Sequence, residues 1–253
     1  MLLLVPVALV AAGCSDTVSL DPVAKAAEAS AKQSSEHMTM EATFTSGLET
    51  VTMRGSGDFQ NDPLRADLTF SAGDGAQTVD MHELMAGTTV YVRSNALAGR
   101  LPGGKSWLRV DVGNAMKSLG VDLGSLTSQT PADAFARLKA AGTVTKVGGG
   151  TIGGTAVTHY TVVLDLGQVA KLTKRLNADV SYAPVDVWVD AGGLVRRMHV
   201  AAVYGGSGSA TLPQSALDMT MTLSDYGEPV AVTLPTDAET FDASGAVDGL
   251  LRK

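Results

Sequence analysis

A single cysteine, Cys14, stands directly behind an apolar run in "LVAAGCSD", residues 9 to 16 of a 253-residue chain. One cysteine has no partner for a disulfide within the chain and cannot supply a multi-cysteine metal site, so its sulfur must serve some other chemistry. The remaining candidates for chemistry are dispersed. His37, His82, His159 and His199 occur singly, without the H-x-x-x-H or H-E-x-x-H spacing that turns two imidazoles of one helix toward zinc; no metal is expected. "GGSGS" at 205–209 lacks the last glycine of a G-x-S-x-G nucleophile elbow. Residues 148–153, "GGGTIG", read formally as G-x-G-x-x-G, but a dinucleotide site needs a helix N-terminus directly afterwards to receive the pyrophosphate. "TAVTHYTVVLD" follows instead and alternates as a strand, so the glycines are expected to form a hairpin loop. Asp58, Asp67 and Asp80 fall on the polar side of their segments, as a solvated face rather than an acid/base pair. Nothing here points to catalysis, and neither a catalytic residue nor a cofactor is expected.

The elements that carry these residues follow from the period of the apolar positions. "MLLLVPVALVAAG" has no charged residue and ends in small ones, as the apolar and cleavage regions of an export signal do; it is too short to span a bilayer, which takes about 20 apolar residues. It lacks the basic residues that ordinarily precede such a run, which leaves the start at Met1 open. After a tether, "DPVAKAAEASAKQSSE" (21–36) offers Asp21 as N-cap, Pro22 in the first turn and Val23, Ala26, Ala27 and Ala31 on one stripe, which predicts a helix. From His37 the period becomes two. Met38, Met40, Ala42 and Phe44 alternate with polar residues, as do Val51, Met53 and Phe59, then Leu64, Leu68 and Phe70. "QTVDMHELM", "TTVYVRS" and "SWLRVDV" continue the pattern, with turns at "AGDG", "MAGT" and "LPGGK". Helices are expected at "NAMKSLG" (114–120), "TPADAFARLKAAG" (130–142) and "LGQVAKLTKRLNAD" (166–179). Strands resume at "GTVTKVGG" and "AVTHYTVVLD", in a hairpin turning on Ala191-Gly192-Gly193, and in "ALDMTMTLSDYGEP". The chain therefore reads as one α+β domain of roughly ten strands.

Composition narrows the partners. The net charge is -7 and the pI near 5.0. No basic run exceeds the pairs Lys174-Arg175 and Arg196-Arg197, so no surface tracks phosphates and nucleic acid is not a partner. What stands out is the apolar side of the strands, rich in methionine, an unbranched and polarizable residue suited to adaptable apolar surfaces.

With Cys14 directly after Ala11-Ala12-Gly13, the N-terminus resembles the lipobox of bacterial lipoproteins. The resemblance extends along the chain. The first helix, the meander with "GTTVYVRS", the insertion near "TPADAFARLKAAG", the hairpin "VWVDAGGLVRRM" and the closing "MTLSDYGEPVAVTLP" are similar to the LppX/LprG-type lipoproteins, relatives of the LolA/LolB carriers. The resemblance implies a signal peptide over 1–13, a tether over 14–20 whose Cys14 carries a diacylglyceryl group, and a lipid-binding domain over 21–253. It places the protein on the extracytoplasmic side of the cell membrane. The implied fold is a single curved antiparallel β-sheet, a LolA-like half-barrel, with a few helices on its concave apolar face. That face would hold acyl chains of a lipid or glycolipid, lined by some of Met38, Met40, Phe44, Met53, Phe59, Leu68, Phe70, Met81, Val90, Met219 and Met221. A transporter or acceptor protein in the envelope would complete the transfer, and the family has no catalytic residues to carry over. Two other readings stand beside it: a membrane-tethered interaction or regulatory module with a filled core, and a hydrolase, which would show converging polar groups in a cleft.

Overall fold

Pro22 can open α1 (Asp21–Ala31) because the amide N–H it lacks would have no partner inside the helix. Ala26, only 1% exposed, faces the sheet, and the Ser30 hydroxyl accepts a hydrogen bond from the Val195 N–H at 2.9 Å. The helix stops short of the expected Glu36. Asn61 takes over the chain just beyond it: its N–H donates to the Ser34 carbonyl at 2.9 Å and its side-chain amide to the Gln33 carbonyl at 2.8 Å. Ser35, 3% exposed, already belongs to a strand, so pairing across the sheet overrides the helical propensity of "AKQSSE".

The computed structural model describes residues 17–18, 21–111, 113, 142–164, 180–182, 184–204 and 215–245. Among them, fourteen strands form one large, open, curved sheet. One half is the meander of β2 (Ser35–Ser46), β3 (Glu49–Asn61), β4 (Leu64–Gly73), β5 (Thr78–Ala86), β6 (Thr89–Ser94) and β7 (Trp107–Asp111). The other half contains β8 (Gly142–Ile152), β9 (Thr155–Leu164), β11 (Pro184–Asp190), β12 (Val195–Tyr204) and β13 (Ser215–Ser224). The two halves join where β13 pairs antiparallel with β2, from Ser215 opposite Ser46 to Ser224 opposite His37. Short strands finish the sheet: β1 (Thr17–Val18) on β8, β10 (Val180–Tyr182) on β12, and β14 (Thr240–Asp242) on β7, the last pairing being parallel.

The described residues hold the one α-helix α1; the helices expected at 114–120, 130–142 and 166–179 lie outside the described residues, except Gly142, which opens β8. One expectation is corrected. The glycines expected as one hairpin loop divide between strand and turn. Gly148, Gly149 and Gly150 are paired in β8 beside a bulge at Val147, and only Gly153 and Gly154 turn the chain, with φ of 56° and 82°. Two successive positive φ values suit the primed hairpin turns, which glycine adopts without steric cost. The loop at 205–209 lies outside the described residues.

Directly opposed residues share a face, so register sorts the whole sheet. On one face α1 covers a core of Val144, Val162, Val187, Val189 and Val195, with Val23 packed against it. On the same face a second core gathers Met38, Ala66 and Leu68, and Leu223 packs against both.

Candidate functional site

The methionine-rich side of the strands becomes a continuous surface because β13, β2, β3, β4, β5 and β6 pair without a slip. One line across the sheet runs Met221, Met40, Gly55, Phe70, Met81, Ser94. The next runs Leu223, Met38, Gly57, Leu68, Glu83, Val92, and a third Glu36, Phe59, Ala66, Met85, Val90. On the other flank lie Met219, Ala42, Met53, Ala72 and Val79, then Leu217, Phe44 and Val51. All eleven residues singled out by alternation thus stand on one face. Met38, Met40, Phe59, Leu68, Phe70 and Met221 are brought together in one packed cluster. Met53, Met81, Val90 and Met219 are half-buried on the same face, and Phe44 is 45% exposed near the end of its strand. Cys14 lies outside the described residues.

The relief of this face is set by small residues between large ones. Ala42 and Ala72 flank Met53, and Gly55 and Gly57 lie between β2 and β4. A Cβ at Gly55 would come 2.3 Å from Cδ1 of Phe70, so the ring lies over the glycine. At Gly57 a Cβ would come 2.0 Å from the Asp67 carbonyl oxygen, which brings the two backbones together.

Two carboxylates on this face were missed by the sequence reading, Glu36 and Glu83. Burial raises the pKa of both above the ordinary glutamate value, since desolvation disfavours the charged form. For Glu83 the signal was present: it shares its parity with Met81 and Met85 in "DMHELM".

The opposite face carries the histidines, each joined to an aspartate across strands. His37 Nδ1 donates to Asp58 at 2.7 Å. His82 Nδ1 accepts from Arg93 at 3.2 Å, so its proton is on Nε2, which donates to Asp67 at 2.7 Å. His159 Nε2 donates to Asp186 at 2.9 Å, and the His159 ring stacks on Trp188 at 4.3 Å. His199 reaches Asp218 at 3.1 Å and stands 3.6 Å from Asp186. Burial pushes the Asp186 carboxyl up, but the Thr161 hydroxyl and His159 outweigh it and leave its pKa below the usual value. These partners lie 15 to 27 residues apart in the chain, which local sequence does not display. Among the described residues no group of three or more His, Cys, Asp or Glu converges as metal ligands.

A cavity of about 740 Å³ lies along β3 to β6 about the line Gly55, Phe70, Met81 and Ser94. On β3, β4 and β5 its lining comes in triplets: 54–56, 69–71 and 80–82. The outer two of each triplet point to the polar face, and the middle one, Gly55, Phe70 or Met81, belongs by register to the apolar side.

The sequence profile of the LppX_LprAFG lipoproteins matches residues 18–232. No curated protein matches the chain. The chain is similar to the crystal structure of the lipoprotein LppX from Mycobacterium tuberculosis, with 18% identity, 85% of this chain and 97% of that chain covered, and a TM-score of 0.52. It is also similar to LprF from Mycobacterium bovis, with 19% identity, 87% and 99% covered, and a TM-score of 0.46. The LppX likeness supports the fold, a large open curved antiparallel sheet.

Proposed function

Because the chain belongs to the LppX_LprAFG lipoprotein family, we propose that it is a lipid-anchored envelope protein whose apolar sheet face takes up acyl chains of a lipid or glycolipid and carries them across the envelope. The observation that supports this reading is the common face of β13, β2, β3, β4, β5 and β6, where methionine and phenylalanine alternate with alanine and glycine. Acyl chains vary in length and saturation, and unbranched thioethers adapt to them better than branched side chains do. Each methylene moved from water to such a surface contributes about 0.8 kcal/mol, so even partial coverage of one chain gives useful affinity. Glu36 and Glu83 supply acceptors within that surface for a hydroxyl of the ligand. Cys14, lipidated after removal of residues 1–13, would anchor the protein on the extracytoplasmic side. Loading and release are binding steps, with no bond made or broken.

The experiment is native mass spectrometry of protein lacking Cys14, taken from the envelope of the producing cell. The expected result is a population carrying lipid. Met53→Trp fills space between Ala42 and Ala72, and Met219→Trp fills the adjoining position, so each should lower the lipid-bound fraction severalfold while thermal stability stays close to wild type. Protein that emerges empty, with both variants unchanged in every readout, would leave an interaction module as the better reading.

A further inference from the structure

We propose that the outer edge of β8, from Lys146 to the turn at Gly153 and Gly154, is a membrane-docking surface that rests in the headgroup layer of the anchoring bilayer. The sheet then stands with β8 lowest, and the strands of the methionine-rich face follow farther along it. The proposal rests on the reading of Cys14 as the lipid-anchored residue and adds to it the part of the domain that meets the bilayer. It also gives a role to the glycine run of β8, which uptake of acyl chains on the other half of the sheet does not use.

Chain length fixes the neighbourhood. Thr17 and Val18 pair with Thr145 and Val144 on the outer side of β8, and only residues 15 and 16 separate them from Cys14. At about 3.4 Å per residue, Thr17 stays within roughly 10 Å of Cys14, and the headgroup layer of one leaflet is itself about 5–7 Å deep. An acylated Cys14 therefore holds Thr145 at the headgroups or just above them. The order β1, β8, β9, β11, β12, β13, β2 places β2 five strands from β8. That is about 24 Å along the sheet at ~4.8 Å per strand.

The edge itself suits such a contact. Beyond Thr145 the described residues place no strand on the outer side of β8. Val147 is 57% exposed at the bulge there, and Ile152 leads into the turn at Gly153 and Gly154. Between them stand Gly148, Gly149 and Gly150, for which the described residues give no packing reason. A Cβ at Gly148 would meet nothing within 4 Å, and one at Gly149 or Gly150 only Val157, at 3.5 and 4.0 Å. Glycine weakens a strand relative to alanine, so the run points to a surface outside the chain that approaches the backbone closely. Charge agrees. In a chain of net charge -7, residues 142–164 contain no Asp or Glu, and the exposed Lys146 offsets Asp16, the one carboxylate of the tether, so anionic headgroups do not repel this edge. A partner strand fits less well, because the bulge at Val147 interrupts the register that a continued ladder needs.

The test places the mature lipoprotein in vesicles of phosphatidylcholine and phosphatidylglycerol and reads bimane labels at single positions. Cys14 is the chain's only cysteine and its sulfur is taken up by the lipid, so Val147→Cys, Thr151→Cys, Leu48→Cys and Leu64→Cys each supply one free thiol. Leu48, at the β2–β3 turn, and Leu64, at the start of β4, are exposed and lie at opposite ends of strands five or more places from β8. Phosphatidylcholine brominated near the headgroup end of its acyl chain should quench the labels at 147 and 151 severalfold more than those at 48 and 64. Equal quenching at all four positions, or stronger quenching at 48 or 64, on protein that floats with the vesicles overturns the proposal and leaves the anchor standing. Self-quenching at 147 that rises with protein density, without quenching by the brominated lipid, assigns the edge to a second copy of this chain and also overturns it. Protein that separates from the vesicles on flotation overturns the anchor reading, and this proposal with it.

Discussion

Asp190 closes the β11–β12 hairpin with both carboxylate oxygens. One accepts from the Leu194 N–H at 2.9 Å, the other from Arg196 Nε at 2.6 Å, and the side chain is 8% exposed. Burial pushes its pKa up, but the Leu194 N–H and the Arg196 guanidinium outweigh that and hold the carboxyl below the usual aspartate value. A depressed pKa adds stability that is fully present above the unfolded-state value, near pH 4, and is lost as the pH falls through the folded-state value. Asp190→Asn should therefore cost about 1–3 kcal/mol at pH 7, read from urea unfolding. The gap between variant and wild type should narrow toward pH 3 and below; a gap that stays constant would show that the hairpin does not depend on the charge. Asp186, held low by Thr161 and His159 against its own burial, should steepen the acid limb in the same direction.

At the scale of elements, the packing of β3 on β4 and of α1 on β12 decides what the chain tolerates. Gly55 and Gly57 differ in what a side chain would meet. At Gly57 the obstacles are the Asp67 carbonyl oxygen and the Leu68 Cα, both backbone, so the strands must part. At Gly55 the nearest atoms belong to the Phe70 ring, which can turn away. Gly57→Ala should thus cost ~3 kcal/mol or more and Gly55→Ala about half of that, measured by chemical denaturation; equal costs would contradict the close approach at Gly57. Ser30→Ala removes the acceptor of the buried Val195 N–H and should cost about 1–3 kcal/mol. Hydrogen exchange at Val195 should rise with it, since that amide loses the Ser30 hydroxyl as acceptor. The helical pattern over 21–36 was legible as to its start and its buried stripe. Its end was not, because Asn61 and Glu228, which bind residues 33 to 35, come from distant parts of the chain.

For the whole molecule, the family match covers most of the chain, and no helix of the described residues is long and apolar enough to cross a membrane. On the proposed function, membrane attachment is through Cys14. Two or more acyl chains on that residue would hold the protein stably. Cys14→Ser should move the protein from the membrane to the soluble fraction on cell fractionation. Intact-mass analysis of the membrane-bound form should begin at residue 14; residues 1–13 on that form would contradict the processing. Pairing of Thr17 and Val18 with β8 leaves only residues 15 and 16 between Cys14 and the sheet edge. At about 3.4 Å per residue, that edge would lie within roughly 10 Å of the anchor.

Alternation and turn chemistry are local, and the sequence by itself determined them: the long strands but not the short β1, β10 and β14, the start of α1, the turn at Gly192-Gly193 and the assignment of Met38 or Met221 to the apolar side. A period of two needs only neighbouring residues to be recognised. Tertiary structure alone decided which strands are adjacent, because β13 reaches β2 across most of the chain's length and no local pattern specifies that pairing. It alone joined each histidine to its aspartate and set Glu36 and Glu83 into an apolar surface. Such features arise from register, which brings residues face to face only after distant segments have paired.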